Sequence, residues 1–204
     1  MIRPIHFALS LCAAAVLAGC ATTGPAPAPS PAAATASVAP YRDTIALTGK
    51  LSATYQQDNQ PQSVTGKFTW NQQPGRVEVE LASPLGQTLA SIVVTPESAT
   101  LTEGGKPPRV ASDIDALTAQ ALGWPLPVAG LRDWLQGYAT DAQGQRFSAS
   151  PANSNVVTRD GWRLRFVEWQ PNAVPPSPRR IDATRSTTNV GDELAIRIFI
   201  DPAS

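Results

Sequence analysis

The sequence predicts a mainly β, α+β domain: an antiparallel meander or barrel with one pair of short helices set into it. Three observations carry this. Apolar residues alternate with polar ones in several separate stretches, the period-2 pattern of a sheet with one greasy and one wet face. Turn-forming clusters punctuate those stretches at Asp58-Asn59-Gln60-Pro61, Gln73-Pro74-Gly75, Gly104-Gly105 and Asp160-Gly161. Between Asp113 and Gln136 the spacing changes to that of a helix.

The strands follow in order. Ile45, Leu47, Gly49, Leu51 and Ala53 alternate with mostly polar neighbours. Phe68 and Trp70 share one face of the next stretch. Val77, Val79 and Leu81 share a face, with Arg76, Glu78 and Glu80 opposite. Leu89 to Thr95 is a short apolar run. Trp162, Leu164 and Phe166 alternate with Arg163 and Arg165, and Ile196, Ile198 and Ile200 close the series. The absence of βαβ alternation excludes a parallel α/β sheet.

Two helices interrupt this pattern. Ser112 is placed to cap a helix from Asp113 to Leu122, with Ile114, Leu117 and Ala121 as its apolar stripe and Gly123 as its stop. A second helix fits Val128 to Gln136, with Pro127 at its start and Gly137 just past its end. Val128, Leu131, Trp134 and Leu135 lie on one side of it. Both apolar stripes need cover, and the greasy face of the sheet supplies it.

The first residues point to a compartment. A short charged start with Arg3 is followed by an apolar run from Phe7 to Leu17, which suits a signal peptide and is too short to span a bilayer. Leu17-Ala18-Gly19-Cys20 matches the bacterial lipobox, in which the cysteine is acylated after cleavage just before it. We therefore expect a signal peptide at 1–19, an acylated Cys20 leading an Ala/Pro-rich tether through residue 40, and one domain over 41–204. Acyl chains contribute about 0.8 kcal/mol per buried methylene, enough for several to hold a protein on a bilayer. Ala21 rather than aspartate follows Cys20. In the common Gram-negative sorting rule aspartate there retains a lipoprotein in the inner membrane, so the expected location is the outer membrane, lipid-anchored, on its periplasmic side. The uncharged tether could span up to about 60 Å as polyproline II.

Composition excludes several chemistries. Cys12 and His6 both fall in the expected signal, and Cys20 is the acylation site. The mature domain then has neither histidine nor free cysteine, which rules out a His-based triad, a Cys nucleophile and an ordinary zinc site. No catalytic residue, metal or cofactor is expected. Loss of Arg3 with the signal leaves 15 basic against 16 acidic residues, a balance that gives no footprint for nucleic acid. Glu168 beside Trp169 lacks a placed partner carboxylate, so glycoside chemistry is poorly supported. Arg132 and Asp133 are sequence neighbours that do not face each other on a helix, and read as a solvated surface.

Several segments together resemble one family. They are the lipobox, Gly49-Lys50-Leu51, Gly66-Lys67-Phe68-Thr69-Trp70, Leu81 through Thr88, Gly123-Trp124-Pro125-Leu126-Pro127, Leu131 through Gly137, and Gly161-Trp162-Arg163-Leu164. Their order and spacing resemble the outer-membrane lipoprotein LolB family. The C-terminal Ile198-Phe199-Ile200-Asp201 departs from that pattern in ending without a tryptophan, and the Pro175-Pro176-Ser177-Pro178 stretch departs too. The resemblance implies a half-open barrel with a short helical lid over an apolar cavity. It also implies that the protein accepts acylated lipoproteins from a LolA-like periplasmic carrier and inserts them into the inner leaflet of the outer membrane, as a monomer and with no covalent chemistry.

The candidate residues fall in two groups. Ser83-Pro84-Leu85-Gly86 fits a type I turn that puts Leu85 near a hairpin tip. The resemblance implies that Leu85, flanked by Pro84 and Gly86, protrudes to help insert cargo. The cavity candidates on the sheet are Phe68, Trp70, Val79, Leu81, Ile92 and Val94, with Phe166 further on. Those from the helical region are Trp124, Leu126, Leu131, Trp134 and Leu135. Two other readings fit the lipobox and β-domain: a lipoprotein scaffold binding a protein partner of an envelope machine, and a cell-wall hydrolase. The hydrolase would need a convergent carboxylate pair or a Ser–Lys dyad.

Overall fold

A computed structural model describes residues 37–58, 60–186 and 193–202. The expected signal peptide, Cys20 and the tether up to residue 36 lie outside the described residues.

The chain first makes six antiparallel strands: β1 (Ile45–Gln57), β2 (Gln60–Gln73), β3 (Arg76–Ala82), β4 (Thr88–Val94), β5 (Ala99–Glu103) and β6 (Arg109–Ala111). Helices α1 (Ile114–Leu122) and α2 (Val128–Trp134) follow. A small hairpin, β7 (Tyr138–Thr140) and β8 (Arg146–Ser148), comes next. The chain then returns through β9 (Asn155–Val157), β10 (Arg163–Trp169), β11 (Pro178–Ser186) and β12 (Glu193–Ile200). One ten-stranded sheet results, in the order β6-β5-β4-β3-β2-β1-β12-β11-β10-β9. The last strand therefore pairs with the first, with Leu51 opposite Ile198 and Gly49 opposite Ile200.

Alternation decides which side faces in. Leu51, Phe68, Trp70, Val79, Leu81, Ile92 and Leu101 are buried on the concave face, joined by Leu164, Phe166, Ile181, Ile196 and Ile198 from the other half. The convex face carries an ionic lattice: Asp182 takes Arg165, Arg180 and Arg197, Arg180 reaches Glu168, and Arg163 pairs with Glu193. Glu168 thus belongs to this lattice rather than to a carboxylate pair.

The sheet is rolled but not closed, since β6 and β9 at its two ends do not pair. The helical pair lies over the concave face, with α1 against β5 and β6 and with Leu126, Leu131 and Leu135 against the middle of the sheet. Asp113, not Ser112, caps α1, its Oδ1 accepting from the Asp115 and Ala116 amides. A carboxylate at that position satisfies two orphan donors and meets the positive helix end. Gly123 ends α1 in the left-handed conformation, as expected. The second helix stops at Trp134, two residues short of the expected end, because the Gln136 and Gly137 amides turn back to Asp133 and Trp134 in a tighter turn. Strands β5 to β9 and β11 are short or irregular in pattern and were not marked by clean alternation.

Close backbone approach explains one glycine of the sequence pattern. A Cβ on Gly49 would lie 2.0 Å from the Phe199 carbonyl oxygen and 2.6 Å from a ring carbon of Phe68. The missing side chain lets the Phe68 ring lie across β1. Gly49→Ala should therefore cost about 3 kcal/mol of stability, the upper range for overpacking against backbone. Urea denaturation checks this: an unchanged midpoint would show that β12 yields freely.

Candidate functional site

Under the helical pair lies a chamber walled only by apolar side chains. Leu51, Phe68, Trp70, Val79, Leu81 and Ile198 come from the sheet, and Leu126, Leu131 and Leu135 from the helical region. It encloses about 10 Å³. That is room for about one water, whereas ligand sites run to roughly 300 Å³ or more. At that volume the chamber has no room for a hydrocarbon chain with the helices where they lie.

Seven of the twelve cavity candidates line this chamber: Phe68, Trp70, Val79, Leu81, Leu126, Leu131 and Leu135. The other five do not. Trp124 stands at a mouth of about 100 Å³, beside Tyr55, Val64, Leu89 and Leu122. Ile92 is fully buried outside the chamber wall. Trp134 turns to Trp162, edge to face with ring centroids 5.6 Å apart. Phe166 stacks between Phe147 and Trp169. Val94 lines a separate groove of about 350 Å³ with Pro96, Ile114, Val128, Arg76 and Arg132. For Ile92, Val94 and Phe166 the reason is that strand parity tells which face a residue takes, but not how far along the barrel it sits; for Trp124 and Trp134 helical spacing gives a side, but not the neighbour met there. Leu51 and Ile198 escaped the candidate set. Their signal was the shared parity of two terminal strands, which counts only once β1 is known to pair with β12.

The mouth and chamber share Leu51 and Leu81 as walls. Tyr55 and Trp124 form an aromatic pair at the mouth, with centroids 6.4 Å apart. The β3–β4 turn leaves from this same end. The Gly86 amide donates to the Ser83 carbonyl, and the Gln87 amide to Ser83 Oγ. This fixes a tight turn that carries Leu85 98% exposed, with Pro84 and Gly86 also open to solvent. A wider and more open hollow of about 500 Å³ lies elsewhere, beside Val156, Val157, Arg163, Arg165 and Asp182. It is a shallow surface hollow of mixed lining, with Arg163, Arg165 and Asp182 at its edge, and not an enclosed apolar chamber.

Few polar groups hold the cover together. Thr118, wholly buried on α1, donates to the Asp115 carbonyl and accepts from the Leu126 amide at 2.9 Å. This ties the linker between the helices to α1. Asp115 sits where α1 meets the start of α2, with one carboxylate oxygen buried and unpartnered. Burial, then the nearby Asp113 carboxylate, push its pKa up to about 6, against the Val128 amide and the Arg185 guanidinium. Burial raises the Asp133 pKa, against the Arg146 and Arg132 guanidinium groups and the Tyr41 hydroxyl.

The model of the outer membrane lipoprotein LolB family matches residues 43–202, nearly all of the described domain. The chain belongs to the LolB family. It is 42% identical over 176 residues to the outer-membrane lipoprotein LolB of Cupriavidus necator, covering 82% of this chain and 88% of that protein. With the outer-membrane lipoprotein LolB of Cupriavidus pinatubonensis the identity is 41% over 201 residues, covering 95% and 92%. Among solved structures, a LolA superfamily protein from Nitrosomonas europaea matches at 9% identity and a TM-score of 0.45, over 77% of this chain and 84% of that one.

Asp115 makes a pH dependence for this LolB family member. A carboxyl whose folded pKa lies above its unfolded one favours the folded state only while protonated, so stability declines as pH rises from the ordinary 3.8 to about 6. Asp115→Asn should remove that decline and raise Tm at neutral pH, while leaving Tm at the acid end near the parent's. Thermal melts across this range check it. A parental slope in the variant would place the titration elsewhere.

Proposed function

We propose that this chain is a lipid-anchored outer-membrane receptor that accepts acylated lipoproteins from a LolA-like carrier and inserts them into the inner leaflet. The observation that carries the reading is the wholly apolar chamber beneath a two-helix cover, with an exposed leucine beside its mouth. An acyl chain of about fifteen methylenes costs roughly 12 kcal/mol to leave in water. A protein handling it must hide it and still let go. Side chains from sheet and helices that meet without polar contacts allow both, because parting them breaks no hydrogen bond inside the chamber. Transfer needs no nucleotide if each successive acceptor binds the chain better than the last.

In this reading Cys20 carries the anchor, the Ala/Pro-rich stretch is the tether, and the domain works as a monomer. Leu85 is the membrane probe. A single exposed leucine gains about 1.5–3 kcal/mol on insertion, which suits a transient contact rather than an anchor.

A transfer assay tests the function. Mixed with a carrier–lipoprotein complex, the Cys20→Ala chain should take the cargo without nucleotide, read by pull-down. Cargo that stays with the carrier would remove the acceptor role. The same variant should deliver cargo to outer-membrane vesicles poorly, and delivery equal to the acylated protein would make the anchor dispensable. Leu85→Glu should leave acceptance unchanged and slow insertion into vesicles. Loss of acceptance instead would place Leu85 on the docking surface.

A further inference from the structure

The stretch just before β1 does not dangle. Val38 is buried and its amide donates to the Ala149 carbonyl. Ala39 offers its carbonyl to the Tyr138 hydroxyl at 2.7 Å. Arg42 is gripped twice through its backbone by Gln136: its amide donates to Oε1 at 2.9 Å, and its carbonyl accepts from Nε2 at 3.0 Å. Gly137 lies so close that a Cβ there would be 2.6 Å from a Val38 methyl. Three consecutive residues after α2, Gln136, Gly137 and Tyr138, are thus each held by this one segment.

The same segment reaches the barrel. Gln72 of β2, buried among apolar neighbours, donates through Nε2 to the Tyr41 hydroxyl at 2.9 Å and to the Arg42 carbonyl at 3.4 Å. The Tyr41 hydroxyl also faces Asp133 of α2. Its ring meets Tyr138 edge to face at 5.8 Å, and the Arg146 guanidinium covers both rings, 5.1 and 4.4 Å from their centroids. Among the described residues, this strap supplies the polar ties between the end of α2 and β2. Leu135, immediately before Gln136, and Leu131, about one turn earlier, are chamber walls.

We infer that the Val38–Arg42 strap is a latch that holds α2 down on the barrel and keeps the chamber shut, and that its release precedes admission of an acyl chain. The use made of the opening rests on the acceptor reading, but the latch itself does not. Because the strap is also where the chain from Cys20 meets the domain, the anchor and the cover join at one place.

Hydrogen exchange and acyl uptake in the full chain test this. Gln136→Ala removes both ties to Arg42, and Tyr41→Phe, a milder change, removes only the hydroxyl. Either should speed exchange of the Val128–Gln136 amides by about tenfold, the scale of one lost hydrogen bond, with β1 to β3 unchanged. Uptake of fluorescently labelled palmitate should accelerate in parallel. Unchanged exchange over α2 in both folded variants would overturn the latch. Faster exchange with unchanged uptake would overturn its control of the chamber. If neither parent nor variants took up the probe, the acceptor reading would fall, while exchange alone would still decide the latch.

Discussion

Rolling an antiparallel sheet hides one face from water, yet only a closed ring of strands hides all of it. In this domain β1 and β12 join the two halves of the sheet, and the far strands β6 and β9 stop on either side of a seam. The inner face is aliphatic and aromatic almost throughout, so that seam would expose the core if nothing lay across it. The helical pair and its Trp-Pro-Leu-Pro linker lie over that inner face, and the strap before β1 is tied to the end of α2. Strand closure would have made a filled barrel with no use for any of them.

Covering a seam with helices instead of strands changes how the cover can move. A strand is stitched to its neighbour by a ladder of backbone bonds, and removing it strands every donor and acceptor along the edge. A helix satisfies its own backbone. It can lift from an apolar surface with only its side-chain ties to break. Here such ties sit at the end of α2, where Gln136 holds Arg42, while the Thr118 bonds join α1 to its linker inside the cover and move with it. The middle of the cover, where Leu126, Leu131 and Leu135 meet the sheet, is held by contact alone.

How much of this could be read in the sequence varied with the range of the signal. Val77, Val79 and Leu81 announced their strand because parity is local. Gly123 announced the end of α1 because a left-handed stop is local too. The turn at Ser83–Gly86 was legible for the same reason, and Leu85 with it. The chamber was legible only as a set of apolar residues on the correct faces. Which of them meet depends on register and curvature, so Trp134 went to Trp162 and Phe166 to Phe147. The strap was the least legible part. Val38 lies at the end of an Ala/Pro-rich stretch whose composition suggests a free linker, and its burial depends on Gly137, about a hundred residues later. Val38 lies ahead of the Tyr41 boundary that composition suggested, and it is buried against the domain.

The two seam strands carry a further consequence. Both β6 and β9 are three residues long, and each presents an exposed valine, Val110 or Val157. A long flat edge with such residues would template pairing with the edge of a neighbouring copy. Three residues offer too few backbone groups to hold a second sheet. For a domain held on a membrane, where copies meet in two dimensions, an edge this short lets the barrel stay open without polymerising.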